Sequence, residues 1–354
     1  MNKISDLSLL ADYRESVLKV CPPLKILFLE LTSRCNAFCR HCGSDCEHKA
    51  KENELTTAEI KNFLIYIKNN YDISKIMLCI TGGEPLLRED FFEIVSFASS
   101  LGFGWGMTTN GILIDENTAK KLKAAGMKTV SVSLDGLKDY HDWFRRVNSF
   151  DRSAAAVKAL AAQGFHNVQI TTVVTKKNID DLAAMYEFFK TLGADSWRII
   201  NIEPIGRAKE LESLYLGADD YKTMFSFIKE HRNDLSLPTC YGCSHYLGEE
   251  LERTVRDWYF LCNAGVYTAS ITSTGDIVSC LDVERRHDLT EGNIRKDDFK
   301  NIWQNGFKKY RKDKKIPENC LGCDYFRFCD GGSFHTRDFD KNTQRLCFKG
   351  VLFD

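Results

Sequence analysis

Between residues 25 and 202 the chain changes period repeatedly, and this alternation restricts the fold more than any other feature. Six apolar runs read as strands: Lys25–Leu31, Lys75–Thr81, Phe103–Thr109, Lys128–Leu134, Asn167–Val174 and Trp197–Ile202. Three of the intervening segments carry apolar residues at helical spacing: Ile60, Phe63, Leu64 and Ile67; Phe91, Ile94, Val95 and Ala98; Leu182, Met185, Tyr186 and Phe189. Helices are also expected over about Glu116–Ala125 and Ser153–Gln163. Strand–helix units in succession predict an α/β fold with a parallel sheet and helices outside it. A closed eight-unit barrel takes about 250 residues, and six units in about 180 residues predict a partial (β/α)6 TIM-like barrel that curves without closing. Tyr221, Met224, Phe225 and Ile228 predict a further helix at the junction. Beyond about residue 235 glycine, cysteine and charged residues become dense, which is the texture of a small domain held by metal rather than by a large core. The expected organisation is a lead-in over 1–23, a core over 24–210, a bridging helical segment over 211–254 and a cysteine-rich domain over 255–354.

Fourteen cysteines in a long chain without a signal sequence point to metal rather than to disulfides. The net charge of −1 gives no global field for nucleic acid or an anionic membrane, and no apolar run reaches the ~18–20 residues that span a bilayer. The expectation is a soluble cytoplasmic protein without nucleic-acid or membrane partners.

In folds of this kind chemistry sits at the carboxyl ends of the strands, and the motifs fall there. After the first strand comes Cys35-Asn36-Ala37-Phe38-Cys39-Arg40-His41-Cys42. Neither common ferredoxin spacing fits. Such a loop can wrap three thiolates around one corner of an iron–sulfur cube, leaving an iron with an open position, as catalytic metal sites do. A zinc knuckle or three ordinary cysteines are the other readings. Gly82-Gly83-Glu84-Pro85 suits a polar ligand, because glycine admits close backbone approach and Glu84 can accept from an ammonium group; it also suits a plain turn. Ser133 and Asp135 point the same way on an extended strand and can meet hydroxyls or a carboxylate, or form an Asx-capped turn. Arg145 can grip a carboxylate with two parallel bonds or make a surface salt bridge.

The cysteine loop after strand one, GGEP after strand two, Thr109-Asn110-Gly111 after strand three and Ser133-Leu134-Asp135-Gly136 after strand four resemble the radical S-adenosylmethionine superfamily over about residues 24–210. The resemblance implies that Cys35, Cys39 and Cys42 hold a [4Fe-4S] cluster whose remaining iron chelates S-adenosylmethionine. One electron then cleaves the sulfonium to methionine and a 5′-deoxyadenosyl radical, which abstracts hydrogen. It implies cofactor contacts from Gly82, Gly83 and Glu84 to the methionine amine, with Asn110 beside them. Ser133, Asp135 and Arg145 would serve the ribose and carboxylate end. His41 stands where the family usually has an aromatic residue.

Cys262, Cys280, Cys320, Cys323, Cys329 and Cys347 resemble the SPASM extension of that superfamily over about residues 255–354. By that resemblance Cys320, Cys323, Cys329 and Cys347 hold an auxiliary [4Fe-4S] cluster, although four thiolates also suit zinc. A second, nearer auxiliary cluster would use Cys262 and Cys280, but Ser333 occupies the position of a further cysteine. Cys240 and Cys243 are candidate replacements; a cluster with an open iron, or none, are the alternatives. Asp282, two residues after Cys280, is a candidate general base or a solvated carboxylate.

The function expected from this resemblance is oxidation or crosslinking of a peptide or protein side chain, with a reductant such as flavodoxin or ferredoxin. Radical modification of a small molecule or tetrapyrrole precursor is the alternative. Outside enzymology, an iron–sulfur electron carrier or a zinc-stabilised binding module is possible, but neither needs a cofactor cavity. The amino-terminal segment is expected to be too short for a peptide-docking winged helix. The basic run Lys308, Lys309, Arg311, Lys312, Lys314 and Lys315 reads as a solvated helix face or a dock for an acidic leader peptide.

Overall fold

The computed structural model describes residues 3–353; Met1, Asn2 and Asp354, the outermost residues of the expected lead-in and cysteine-rich domain, lie outside the described residues. All six expected strands form: β1 (Ile26–Glu30), β2 (Met77–Thr81), β3 (Gly104–Thr109), β4 (Met127–Ser133), β5 (Asn167–Val174) and β6 (Ser196–Asn201). They pair in parallel and in sequence order. Alternation sorts their side chains between two environments. Thr129, Ser131, Thr171 and Arg198 line the lumen, whereas Leu78, Trp105, Val132, Ile170, Trp197 and Ile199 are buried in the main apolar core.

The amino-terminal helix is α1 (Lys3–Tyr13). The outer layer comprises α2 (Thr57–Asn70), α3 (Phe91–Leu101), α4 (Glu116–Ala124), α5 (Lys138–Arg145), α6 (Phe150–Ala161) and α7 (Leu182–Lys190), followed by α8 (Ala218–His231). Local chemistry sets several of their ends. Thr56 and Glu59 form a reciprocal capping box at α2. Gly102, at φ +99°, ends α3 in the left-handed region that glycine enters without strain. The α5 helix is absent from the sequence reading. Its single apolar-facing turn, carrying His141, Phe144 and Arg145 inward, is too short to register as a period.

The sheet also continues past the six expected strands. The short β7 (Thr239–Tyr241) adds in parallel to β6, and β8 (Thr268–Ile271) adds in parallel to the other side of β1. Then β9 (Asp276–Val278) and β10 (Gly292–Asn293) extend that edge antiparallel. The result is one open ten-stranded sheet, in which bridging and cysteine-rich segments are built onto the barrel's two edges. The lead-in packs on the far end of the chain. Arg14 donates to the carbonyls of Arg327 (2.7 Å) and Phe328 (3.1 Å), and Trp303 Nε1 donates to Pro22 O at 3.0 Å. Among the described residues no helix is long and apolar enough to cross a membrane.

Candidate active site

The loop after β1 is tied down from both ends. The Cys35 N–H donates to Glu47 O at 2.7 Å, and Glu54 Oε1 accepts from the Ser33 N–H at 2.7 Å and its hydroxyl at 2.9 Å. From across the barrel mouth, Arg207 donates through Nε to Cys39 O (2.8 Å) and through Nη1 to Cys46 O (3.0 Å), with its guanidinium 4.1 Å over the Phe38 ring. Gly206 makes this approach possible: it sits at φ +50°, and a Cβ there would collide with the Cys42 and Gly43 backbone.

Cys35, Cys39 and Cys42 line one cavity of about 560 Å³ at the carboxyl ends of the strands. Polar hydrogens point at their sulfurs: Ala37 N–H to Cys35 Sγ at 3.5 Å, Arg145 Nη1 to Cys39 Sγ at 3.6 Å and Cys46 N–H to Cys42 Sγ at 3.5 Å. Burial pushes the Cys35 thiol up to about 12 and raises that of Cys39, while the Cys46 thiol's hydrogen bond lowers Cys42 to about 6. Three gathered thiols, two of them held protonated by burial, fit ligation to a cationic centre whose own charge would keep them as thiolates.

The strand-end motifs contribute differently from expectation. Gly82 and Gly83 line the cavity, and each has a backbone reason to be glycine. A Cβ on Gly82 would strike Thr32 O and one on Gly83 would strike Arg34 O, where β2 continues against the chain leading into the cysteine loop. Glu84, expected to accept from an ammonium group, is wholly buried and committed internally: it accepts from Thr109 Oγ1 at 2.8 Å and from the Asn110 N–H at 2.8 Å. It thereby ties the end of β2 to the end of β3. Asn110 in turn donates to Asn36 Oδ1 at 2.7 Å and sits 3.9 Å from Cys35 Sγ.

Burial raises the Glu84 carboxyl to about 7, well above the ordinary value near 4.3. The folded chain therefore holds a proton that the unfolded chain has released, and stability falls as pH rises from about 4.5 to about 7. Urea midpoints measured across this window should show the slope in the wild type and lose it in Glu84→Gln.

Arg145, expected to clamp an external carboxylate, spends its Nε on Asp135 Oδ2 at 2.6 Å. Asp135 is fully buried, also accepts from the Val173 N–H at 3.0 Å and braces Arg145, and both residues border the cavity. Ser133 lines the cavity. His41 fills its aromatic position by stacking on Phe144, with ring centroids 4.0 Å apart and planes 11° from parallel. Burial lowers it to about 3, so it stacks as a neutral ring.

Comparison with known proteins places this geometry. Residues 29–189 match the family described as the radical SAM superfamily, and residues 262–324 match the SPASM iron-sulfur cluster-binding domain. The AdoMet-dependent heme synthase of Methanosarcina barkeri is 30% identical over 87% of this chain and 90% of its own length. The chain belongs to the radical SAM superfamily. The mycofactocin maturase MftC of Mycolicibacterium smegmatis is also 30% identical, over 88% of this chain and 78% of its own length. The crystal structure of Streptococcus suis SuiB bound to S-adenosylmethionine superposes with a TM-score of 0.72 at 18% identity, covering 94% of this chain and 77% of SuiB, which supports the fold.

As a radical SAM enzyme with a SPASM region, the protein uses [4Fe-4S] clusters and S-adenosylmethionine. In the C-terminal region Cys320 lies near Cys323 and Cys347, and Cys329 near Cys320 and Cys347. Cys262 and Cys280 neighbour each other, and Cys262 Sγ accepts from the Phe334 N–H at 3.5 Å, next to the buried Ser333.

Cys240 and Cys243 do not come together. On β7, Cys240 is in register with Arg198, and its charged surroundings are Arg198, Arg232 and Asp257. Cys243 lies against Glu203 and Tyr241. Cys240 is the middle residue of β7, whereas Cys243 lies past the strand's end at Tyr241. Asp282 is exposed, lines the cavity and lies 3.9 Å from Cys280 Sγ. Three features went unread in the sequence: the Arg207 clamp, the lumen residue Arg198, and the meeting of Glu203, His245 and His335. Arg198 left a signal there as a charge inside an otherwise apolar strand, and Glu203 and Arg207 as members of the run Glu203-Pro204-Ile205-Gly206-Arg207 that ends the sixth strand.

Proposed function

We propose that this radical SAM enzyme holds its substrate by a carboxylate against Arg198 and oxidises a carbon presented toward the cysteine loop. Arg198 is the observation that carries this reading. It projects into the lumen from the middle of β6. Its Nε donates to Thr171 Oγ1 at 3.2 Å, and among the described residues it has no carboxylate partner. Gly242 clears the space for its stem, since a Cβ there would press on the Arg198 side chain. A guanidinium kept in a largely apolar lumen without a counterion is a receptor for an anionic group. The bound cluster and S-adenosylmethionine would supply the hydrogen-abstracting radical. Cys35, Cys39 and Cys42 would hold the cluster, Gly82, Gly83, Asn110 and Ser133 would border the cofactor, and Asp282 at the rim would be positioned to receive a proton. An electron-transfer protein such as flavodoxin or ferredoxin would supply the reductant.

Two substrate classes carry such a carboxylate. The tetrapyrrole reading is favoured by the nearly end-to-end match with a heme synthase, 87% of this chain and 90% of the relative. The peptide reading draws on the mycofactocin maturase at equal identity. The test incubates cluster-reconstituted enzyme with S-adenosylmethionine and dithionite, adding either an iron porphyrin with carboxylate side chains or a peptide library with free carboxyl termini. Product mass and 5′-deoxyadenosine are then measured. The tetrapyrrole reading expects substrate-dependent turnover with the porphyrin alone, and turnover with peptides alone transfers the assignment to a maturase. In either case Arg198→Leu should raise KM about 10–100-fold, the equivalent of one lost charge-assisted hydrogen bond. An unchanged KM overturns the anchoring role.

A further inference from the structure

The carboxyl end of β6, the segment after β7 and the 3-10 turn Phe334–Thr336 converge at one point. They bring together Glu203, His245 and His335, whose donor atoms all lie within 4.8 Å of one another. His245 Nε2 is 2.5 Å from Glu203 Oε1 and His335 Nε2 is 2.6 Å from Glu203 Oε2. We propose that Glu203, His245 and His335 form a mononuclear site for a divalent first-row transition ion, separate from the iron–sulfur clusters.

Two imidazoles and one carboxylate form the ligand set that zinc and non-haem iron sites use, leaving further positions open. Each Glu203 oxygen faces one imidazole nitrogen, and His335 Nε2 is fully buried, so the two rings and the carboxylate converge on one point out of solvent.

The surrounding chain is rigid. The buried Arg256 donates through Nη1 to Cys243 O at 2.9 Å and through Nη2 to His245 O at 2.6 Å, and pairs with Glu252. It thus fixes the backbone that presents His245, the support that metal ligands need from their neighbours. The Cys243 thiol lies against Glu203 and offers a fourth donor. Glu203 also lines the main cavity, which gives an ion a route in and lets an open position face the substrate. Because the three ligands come from distant parts of the chain, the ion would also fasten the cysteine-rich region to the end of β6. The site does not depend on which substrate class is correct.

The test uses cluster-loaded, anaerobically purified enzyme, exposed to Zn2+ and then desalted. Elemental analysis gives the zinc per chain, and X-ray absorption at the zinc edge gives the ligand shell. The expected result is about one zinc per chain in a shell containing nitrogen and oxygen. Retention should drop about tenfold or more in E203Q/H245Q/H335Q, with the visible absorbance of the clusters unchanged. Failure of the cluster-loaded wild type to retain zinc would mean a metal-free ion pair and overturn the proposal. So would a shell of sulfur alone, or equal retention by the triple variant. The absorption measurement on the wild type decides the matter even if the triple variant does not fold.

Discussion

Replacing Cys35, Cys39 and Cys42 together by alanine should abolish release of 5′-deoxyadenosine from S-adenosylmethionine while leaving the far-UV circular dichroism of the barrel intact. The expectation joins the cavity-facing position of the three sulfurs with their location outside the main core. They pack in a small separate cluster with Ala37, Cys46 and Ile112, whereas the strands and helices are held by the continuous apolar core of the barrel. The cluster is the only electron source for the cleavage, so losing its ligands removes the reaction rather than slowing it. The loop keeps its shape through bonds that the substitutions spare, including Arg207 to the Cys39 and Cys46 carbonyls and Cys35 N–H to Glu47. Wild-type yields of 5′-deoxyadenosine from the triple variant would refute the assignment of these cysteines.

Arg145→Met should be the most destabilising single exchange at the site, by roughly 3–5 kcal/mol, because it strands the buried Asp135 carboxylate without its partner. The double variant Arg145→Met/Asp135→Asn should recover much of that loss, since asparagine keeps an acceptor for the Val173 N–H and buries no charge. Burial alone would raise the Asp135 carboxyl, but the Arg145 guanidinium holds it below the usual range. A depressed acid adds stability above its unfolded value, near 3.9, and loses it as pH falls through the folded value. The destabilisation by Arg145→Met should therefore be full at neutral pH and shrink in acid. Urea unfolding of the apo chain at several pH values measures this; a midpoint equal to wild type at pH 7 would refute the pairing. In the holoenzyme the same exchange removes a cationic donor from Cys39 Sγ. The cluster potential should move to more negative values, as loss of a hydrogen bond to a ligating sulfur does.

The six strands were legible because each is a short, largely apolar run with at least one buried face, ending at a turn or motif and alternating with segments that read as helices. Residues 167–174 matched to the residue. The added strands β7 and β8 have three and four residues, fewer than a period needs, and owe their pairing to β6 and β1 rather than to their own pattern. The site was legible as a set of residue types but not as a set of partners. GGEP identified Glu84, but Thr109 and Asn110, which claim its oxygens, arrive from the next strand end. Arg145 was read as a carboxylate clamp, and the carboxylate it found was Asp135 of this chain. Spacing suggested Cys240 and Cys243 as replacement ligands at one metal corner, but they have different surroundings, Arg198, Arg232 and Asp257 for the first and Glu203 for the second. Glu203, His245 and His335 are too distant in sequence for any spacing rule to join them.

The pairing of β8 with β1 has a consequence for how the chain is made. Residues 26–29 form hydrogen bonds on one side with 77–80 and on the other with 268–271. On a ribosome, the first partner emerges early, while the second lies more than half the chain away and follows roughly 10–50 s later at ordinary elongation rates. Throughout that interval the first barrel strand presents an unpaired apolar edge, the kind of surface that recruits other chains. A product stopped before residue 268 never covers it. Soluble production of the barrel alone should thus need the distal segment or a chaperone that shields this edge, even though every ligand of the radical-generating loop is already present.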